Sequence, residues 1–437
     1  MVKMGRGALT AALAALAMAA AACGGTGGGA STAKRTADPA NVTGDITVLT
    51  QRTDLQEDGT LREYADEFKK TYPKVNVKFE ALTDYEGEVK IRMNTENYGD
   101  VLLIPAAVAK GDYPKFFASL GTSAELSKKY KFTSASEVNG KVYGIVSFAA
   151  ANGFIYNKDV WKKAGVTDWP KTPDEFLADL GAVKGKTSAT PLYTNYKDSW
   201  PLTAWTNVLG SVTCDPQAKN KLATEDPWAA GTDLNAGDSL LFEAVENKLT
   251  EADPTTTNWE ESKGRFAKGE IAAMWLGSWA IPQMQDAATK AKADPGAVGF
   301  MPFPAQVNGK FCAALAPDYR YAINTHSEHK EAARAWLDWM VDKSGFAALN
   351  QGVSPVVGDP LPSALKPYQD AGVQLIDLDQ KDVAQVNAID RAAEVGLDAP
   401  DYRKHLVDVA RGAAKGDLNG EFADLSKKWK DGRQSAG

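Results

Sequence analysis

Between residues 44 and 105 the chain alternates short β-prone runs with amphipathic helical segments, and that alternation leaves few folds open. The first run is Ile46-Thr47-Val48-Leu49. Thr60-Leu61-Arg62-Glu63 reads as a capping box, in which hydroxyl and carboxylate satisfy the first free N–H groups of a helix. Leu61, Tyr64, Ala65, Phe68 and Tyr72 recur at helical spacing until Pro73 stops the helix. Val75, Val77 and Phe79 alternate as a strand, Thr83-Asp84-Tyr85-Glu86 caps the next helix, and Asp100–Ile104 is a buried strand closed by Pro105. Strand, helix, strand, helix, strand predicts a mostly parallel sheet with helices on its faces.

A second unit of the same kind follows. Val142–Phe148 and Phe154–Tyr156 are strand-like, and Thr172-Pro173-Asp174-Glu175 is a capping box with proline at the first helical position. From about 185 to 260 the chain is richer in Trp, Asn, Asp and Gly, with short helical stretches among loops. Ala272–Leu276 and Val298–Pro302 read as strands, with a helix between them that starts near Ser278. Ala332, Ala333, Trp336, Trp339 and Met340 form a helical stripe, and Phe422, Leu425 and Trp429 mark a last helix. No internal repeat is evident. At 437 residues, with 44% apolar and 9% aromatic content, the chain can fill two cores. The expectation is two α/β lobes.

The N-terminus reads as an address. Lys3 and Arg6 precede the alanine-rich run Ala8–Ala22, the parts of an export signal over 1–22. Ala20-Ala21-Ala22-Cys23 resembles the bacterial lipoprotein processing site, although Ala20 stands where a leucine is usual. That resemblance implies that Cys23 is lipidated and holds the exported protein on the outer face of the membrane. An ordinary secretion signal with an incidental cysteine is the alternative. The Gly-rich stretch after Cys23 makes 23–43 a flexible tether. Cys214 and Cys312 remain, and outside the cell an even pair is more often bridged than free, so a disulfide is expected. Losing Lys3 and Arg6 lowers the net charge from −7 to −9, the wrong sign for a general nucleic-acid binder.

Several blocks together resemble the extracellular solute-binding proteins of ABC importers, in the carbohydrate-binding group typified by maltose-binding protein. They are Glu67-Phe68 through Tyr72-Pro73 to Val77; Gly140–Ile145 with Gly153-Phe154-Ile155-Tyr156-Asn157-Lys158-Asp159; Pro170–Phe176; Phe266–Met274 with Gly277-Ser278-Trp279; and Val298–Pro302 with the Ala332–Trp339 helix. The resemblance implies an α/β, two-lobed periplasmic-binding-protein-like fold of type II. Each lobe would be a mostly parallel sheet flanked by helices, with the ligand cleft between them. One lobe would comprise 44–149 and about 319–385, the other 150–318 and about 386–437, with crossings near Phe148–Asn152 and Pro317–Tyr321. It further implies a monomeric, non-enzymatic receptor without cofactor or metal, whose partners are a carbohydrate ligand and the permease subunits of an importer.

A sugar ring offers C–H faces that stack on aromatics and hydroxyls that need fixed polar partners. Of the eleven tryptophans, Trp161, Trp336, Trp339 and Trp429 lie in amphipathic helices as packing residues, and Trp169 reads as a loop plug. Trp200, Trp205, Trp228, Trp259, Trp275 and Trp279 are left in loops or at strand ends. Trp279 follows Gly277-Ser278 at a strand-to-helix turn, where glycine lets a ligand approach the backbone. The family stacks sugar on an aromatic there, and the plain alternative is an aromatic staple at a helix start. Trp200, beside Pro201, resembles a second family position. Trp275 is a weaker candidate, because strand alternation can point it into the core.

In the first lobe, Gln51, Arg52 and Asp54 follow the first strand, where polar groups reach a crevice. Arg52 and Asp54 either grip hydroxyls or pair with each other. Asp318, Tyr319 and Arg320 at the second crossing read equally as a ligand clamp or a structural ion pair. Asn152 and Tyr402 complete the candidates. Ala150 stands where many relatives carry a carboxylate, so part of the hydroxyl network must differ.

Other motifs fail. Gly181–Thr187 has one residue too few between its glycines for a phosphate loop, and His326-Ser327-Glu328-His329 lacks the zinc-protease spacing. The rival classes are a secreted glycoside hydrolase, which needs two carboxylates about 5–10 Å apart, and a binding protein for another solute such as a polyamine or iron.

Overall fold

The computed structural model describes residues 31–35, 38–105 and 108–436. The expected signal peptide, Cys23 and the glycine-rich start of the tether lie outside the described residues. Three parallel strands come first: β1 Gly44–Thr50, β2 Val75–Ala81 and β3 Val101–Leu103. Two long strands follow, β4 Ile145–Asn157 and, after the short β5 Ala273–Gly277 and β6 Val298–Met301, β7 Lys310–Ile323; β8 is Gln374–Asp377. The sheet runs β2-β1-β3-β7-β4-β5, with β6 on β4 and β8 on β7. Strands β5, β6, β7 and β8 share one direction and β4 opposes them. Both lobes therefore carry the mostly parallel strands that the alternating pattern predicts.

Strands β4 and β7 join the lobes. β7 pairs with β3 at Tyr321–Ile323 and with β8 at Cys312–Leu315, and its middle pairs antiparallel with β4. At the crossing Ala149, Ala150 and Ala151 pair with Pro317, Ala316 and Leu315, so one strand offers only methyl side chains there. Small residues here let covering groups approach the strands and leave room above them.

Buried apolar residues sort into three groups. One joins Ile46, Phe68, Val101 and Tyr143 to Tyr321, Trp336 and Phe346 in the first lobe. The other two cover opposite faces of the second sheet, as strand alternation dictates. Phe154, Ala273 and Trp275 face one group; Ile155, Met274 and Leu276 face the other. Leu365, Tyr368, Ile376 and Leu378 pack with these second-lobe groups.

Local signals fared unevenly. Thr172 accepts from the Glu175 amide with Pro173 opening the helix Pro173–Lys186, and Asp84 caps Tyr85–Arg92. The box at Thr60 does not form: Thr60 is already helical, the cap is Gly59 at φ +90°, and Asp58 takes the Thr60 amide. The tether expectation also changes. From Ser31 the chain is docked, with Ala33 N–H donating to Ser119 O and Ser119 N–H to Ser31 O. Arg334 Nη1 donates to Ala33 O, and Arg35 pairs with Asp338 at 2.6 Å. Cys214 and Cys312 form a disulfide, Cα–Cα 5.5 Å, which pins the 211–221 segment to β7.

Candidate ligand-binding site

Residues directly opposite in an antiparallel ladder share a face. Ala150 faces Ala316, Asp318 faces Phe148, and Asn152 faces Gly277. Along β4 this period of two puts Phe148, Ala150 and Asn152 on one side. Above that side lies a cavity of about 670 Å³. First-lobe groups on its wall include Gln51, Tyr85, Lys110 and Tyr113; from the second lobe come Asn207, Lys219, Gln380, Asn387 and Arg391. Five sequence candidates meet here: Gln51, Asn152, Asp318, Tyr319 and Arg320.

Tyr319 sits at φ +48°, and the ladder skips its pair with Ser147. A left-handed tyrosine within a strand costs of order 1–3 kcal/mol and persists only where its surroundings demand it. Its ring packs 5.5 Å from Phe148 and 5.5 Å from Phe346, and its hydroxyl bonds the Gln51 side chain. Arg320 Nη1 donates to the Tyr113 hydroxyl at 2.9 Å. The Asp318 carboxylate accepts from the Tyr319 amide at 2.7 Å. It opens to the cleft but is crowded by protein on its other sides, and that desolvation pushes its carboxyl up despite the amide and Arg320. Asn152 is buried and donates to Ala314 O, which fixes its orientation on the floor.

On the same face, beside Gly277, stands a cluster of three tryptophans. Trp200 lies 5.1 Å from Trp259 and 5.8 Å from Trp279, and Trp259 lies 6.0 Å from Trp279. Trp200 is 37% exposed, and the other two are half-buried. A Cβ on Gly277 would meet Trp279 Nε1 at 2.5 Å, so glycine is what lets the indole lie against the strand. Just before Trp200, Asn195 Oδ1 and Asp198 Oδ2 are buried without a protein donor. Such acceptors suit hydroxyl donors.

Other candidates sit elsewhere. Arg52 and Asp54 pair with each other at 2.6 Å, with Arg52 also on Asn350 Oδ1 and over the Phe346 ring, off the cavity wall. That pairing holds the Asp54 carboxyl below its ordinary value. Trp275 is a core residue, 3% exposed. Alternation in β5 turns it onto Phe154 and Trp205, and its indole N–H is spent on Ala204 O. Tyr402 is buried in the second lobe, beside the buried Arg403–Asp238 pair and bonded to Asp238, and is not a cleft wall. Sequence reasoning missed Tyr85, Lys110, Tyr113, Gln380 and Arg391. Only Tyr85, just after a capping aspartate, carried a local signal.

The family model of the bacterial extracellular solute-binding protein matches residues 52–345. Among solved structures, BlMnBP1, a binding protein of an ABC transporter from Bifidobacterium animalis subsp. lactis in complex with mannobiose, is 32% identical. It covers 91% of this chain and 96% of its own, with a TM-score of 0.81. BlMnBP2 from the same organism, a manno-oligosaccharide-specific solute-binding protein in complex with mannotriose, is 32% identical with a TM-score of 0.80, covering 90% and 96%. The multiple sugar-binding protein of Streptococcus mutans is 25% identical over 295 residues, 65% of this chain and 68% of that protein.

Proposed function

Because the chain belongs to the bacterial extracellular solute-binding protein family, we propose that it is the sugar receptor of an ABC importer, taking oligosaccharides of the mannose type. The receptor is exported, lipidated on Cys23, monomeric and non-enzymatic. It closes two lobes on the ligand and hands it to the permease. We take the lobes as 44–149 with about 319–355, and 150–318 with about 360–437. The packing of Leu365, Tyr368 and Ile376 with the second lobe supports this earlier return.

The observation that carries the reading is a cleft walled by both lobes, with the Trp200–Trp259–Trp279 cluster on the same face of the crossing strands. A ligand that touches both lobes gains most when they close, which is the only way binding can shift that balance. A tryptophan platform burying about 60–100 Å² contributes roughly 2 kcal/mol, and micromolar affinity needs about 8 kcal/mol. Stacking therefore needs the hydroxyl partners of Gln51, Asn152, Asp318 and Arg320 beside it.

The test is a thermal-shift series of the tether-free protein against mannose, mannobiose, mannotriose and unrelated sugars, with product analysis of each mixture. A melting shift that grows with manno-oligosaccharide concentration, without cleavage, is the expected result. Cleaved sugar would make the protein a hydrolase, and no response to any sugar would turn the search to other solutes.

A further inference from the structure

Lys110 opens a single turn, Lys110–Asp112, behind β3. Its ammonium donates to the carbonyl oxygens of Ser134 and Gln380, each at 2.8 Å. These acceptors belong to opposite sides of the cleft. Ser134 lies in the turn that leads into Glu137–Val138, part of the small first-lobe sheet with Gly121–Thr122 and Lys141–Val142. Gln380 follows β8 and is held by its neighbours: the Asp379 amide donates to Pro216 O and the Asp382 amide to Asn220 Oδ1. That loop is the one Cys214–Cys312 fixes to β7. A backbone carbonyl cannot swing after a departing donor, so parting the lobes beyond the reach of the lysine side chain breaks the Lys110–Gln380 bond.

We propose that Lys110 is an interlobe latch, whose amine holds the closed lobes together through Ser134 and Gln380 and makes ligand affinity rise with pH. The proposal rests on the reading that the lobes close on a sugar.

The sign follows from solvation. In the arrangement described, where Lys110 bridges the two sides, it loses water and is pushed down to about 8, with Arg320 and Lys219 acting in the same sense and Glu137 and Asp379 against it. Glu86, Asp318, Arg391 and Asp398 complete the charged wall of the cavity. When the lobes part, Lys110 leaves Gln380 and returns toward the ordinary lysine value of about 10.4. The open state thus binds more protons between these values, and raising the pH favours closure. A neutral amine still carries two N–H groups, one for each carbonyl.

The experiment compares the wild-type protein with Lys110→Met and Lys110→Arg at pH 7 and pH 9. Calorimetry with mannotriose gives affinity, and small-angle X-ray scattering without ligand gives compactness. The wild-type Kd should fall about tenfold from pH 7 to pH 9, and the free protein should become more compact. Both variants should lose this slope, since methionine does not titrate and arginine stays charged. A slope in the variants equal to the wild-type one overturns the proposal. If Lys110→Met melts early, Lys110→Arg carries the comparison. If mannotriose fails to bind, the sugar reading falls, and scattering still decides the latch.

Discussion

A single missing Cβ places the proposed ligand platform, Trp279. Trp279→Ala should cost at least about tenfold in affinity, roughly 1.4 kcal/mol, while leaving the melting curve nearly unchanged. Gly277→Ala keeps the indole but puts a methyl 2.5 Å from Trp279 Nε1, so the ring must leave the strand. Its affinity loss should be similar, read by calorimetry beside a shift in tryptophan fluorescence. A large fall in stability with intact sugar binding would instead assign Trp279 to the core. At this scale the sequence marks the positions of residues whose neighbours along the chain say enough: Gln51 after a strand and Asp318–Arg320 with Asn152 in the crossings, which line the cavity, and Trp279 after glycine beside it. It does not mark Trp275, whose side depends on the register of β5 against β4. Nor does it mark Tyr402, whose fate depends on Asp238 more than 160 positions away.

The long strands β4 and β7 join the lobes, and the disulfide braces β7 against the 211–221 segment within the second. Cys214–Cys312 closes a loop of sequence separation 98, and cross-links of that span stabilise by about 2–4 kcal/mol. Cys214→Ser with Cys312→Ser, or reduction, should lower the denaturation midpoint by a corresponding amount. Two free thiols by mass spectrometry of the exported protein would remove the basis for this expectation. Strand and helix order was legible because period and caps are local. The start at Thr60 was not, since Asp58 and Gly59 offer a competing cap that costs nothing. The β4–β7 pairing was implied by the family resemblance alone, because contacts between strands so far apart in sequence leave no local pattern.

At the scale of the molecule, the two-lobed plan was readable, while the later seam proposed above rests on packing that the sequence does not carry. Which lobe owns 360–385 depends on which sheet β8 joins, and a four-residue strand cannot announce that. The docked N-terminal segment was equally hidden: Ser31–Arg35 looks like spacer, yet Arg334 and Asp338, three hundred positions on, hold it. Trypsin should therefore leave Lys34 and Arg35 uncut in the native protein, whereas Arg35→Ser should open the bond after Lys34. Equal cutting of both proteins would mean that the segment is not held.

That docking shortens the mooring line proposed for Cys23. With a lipid on Cys23, only the chain from there to Ser31 separates bilayer from folded protein, at most roughly 28 Å when fully drawn out. Under the proposed lipidation, a receptor on so short a line would not drift away between cargoes. It would patrol a thin layer above its membrane, and its search for the proposed permease would become two-dimensional, at a local concentration set by that layer's thickness.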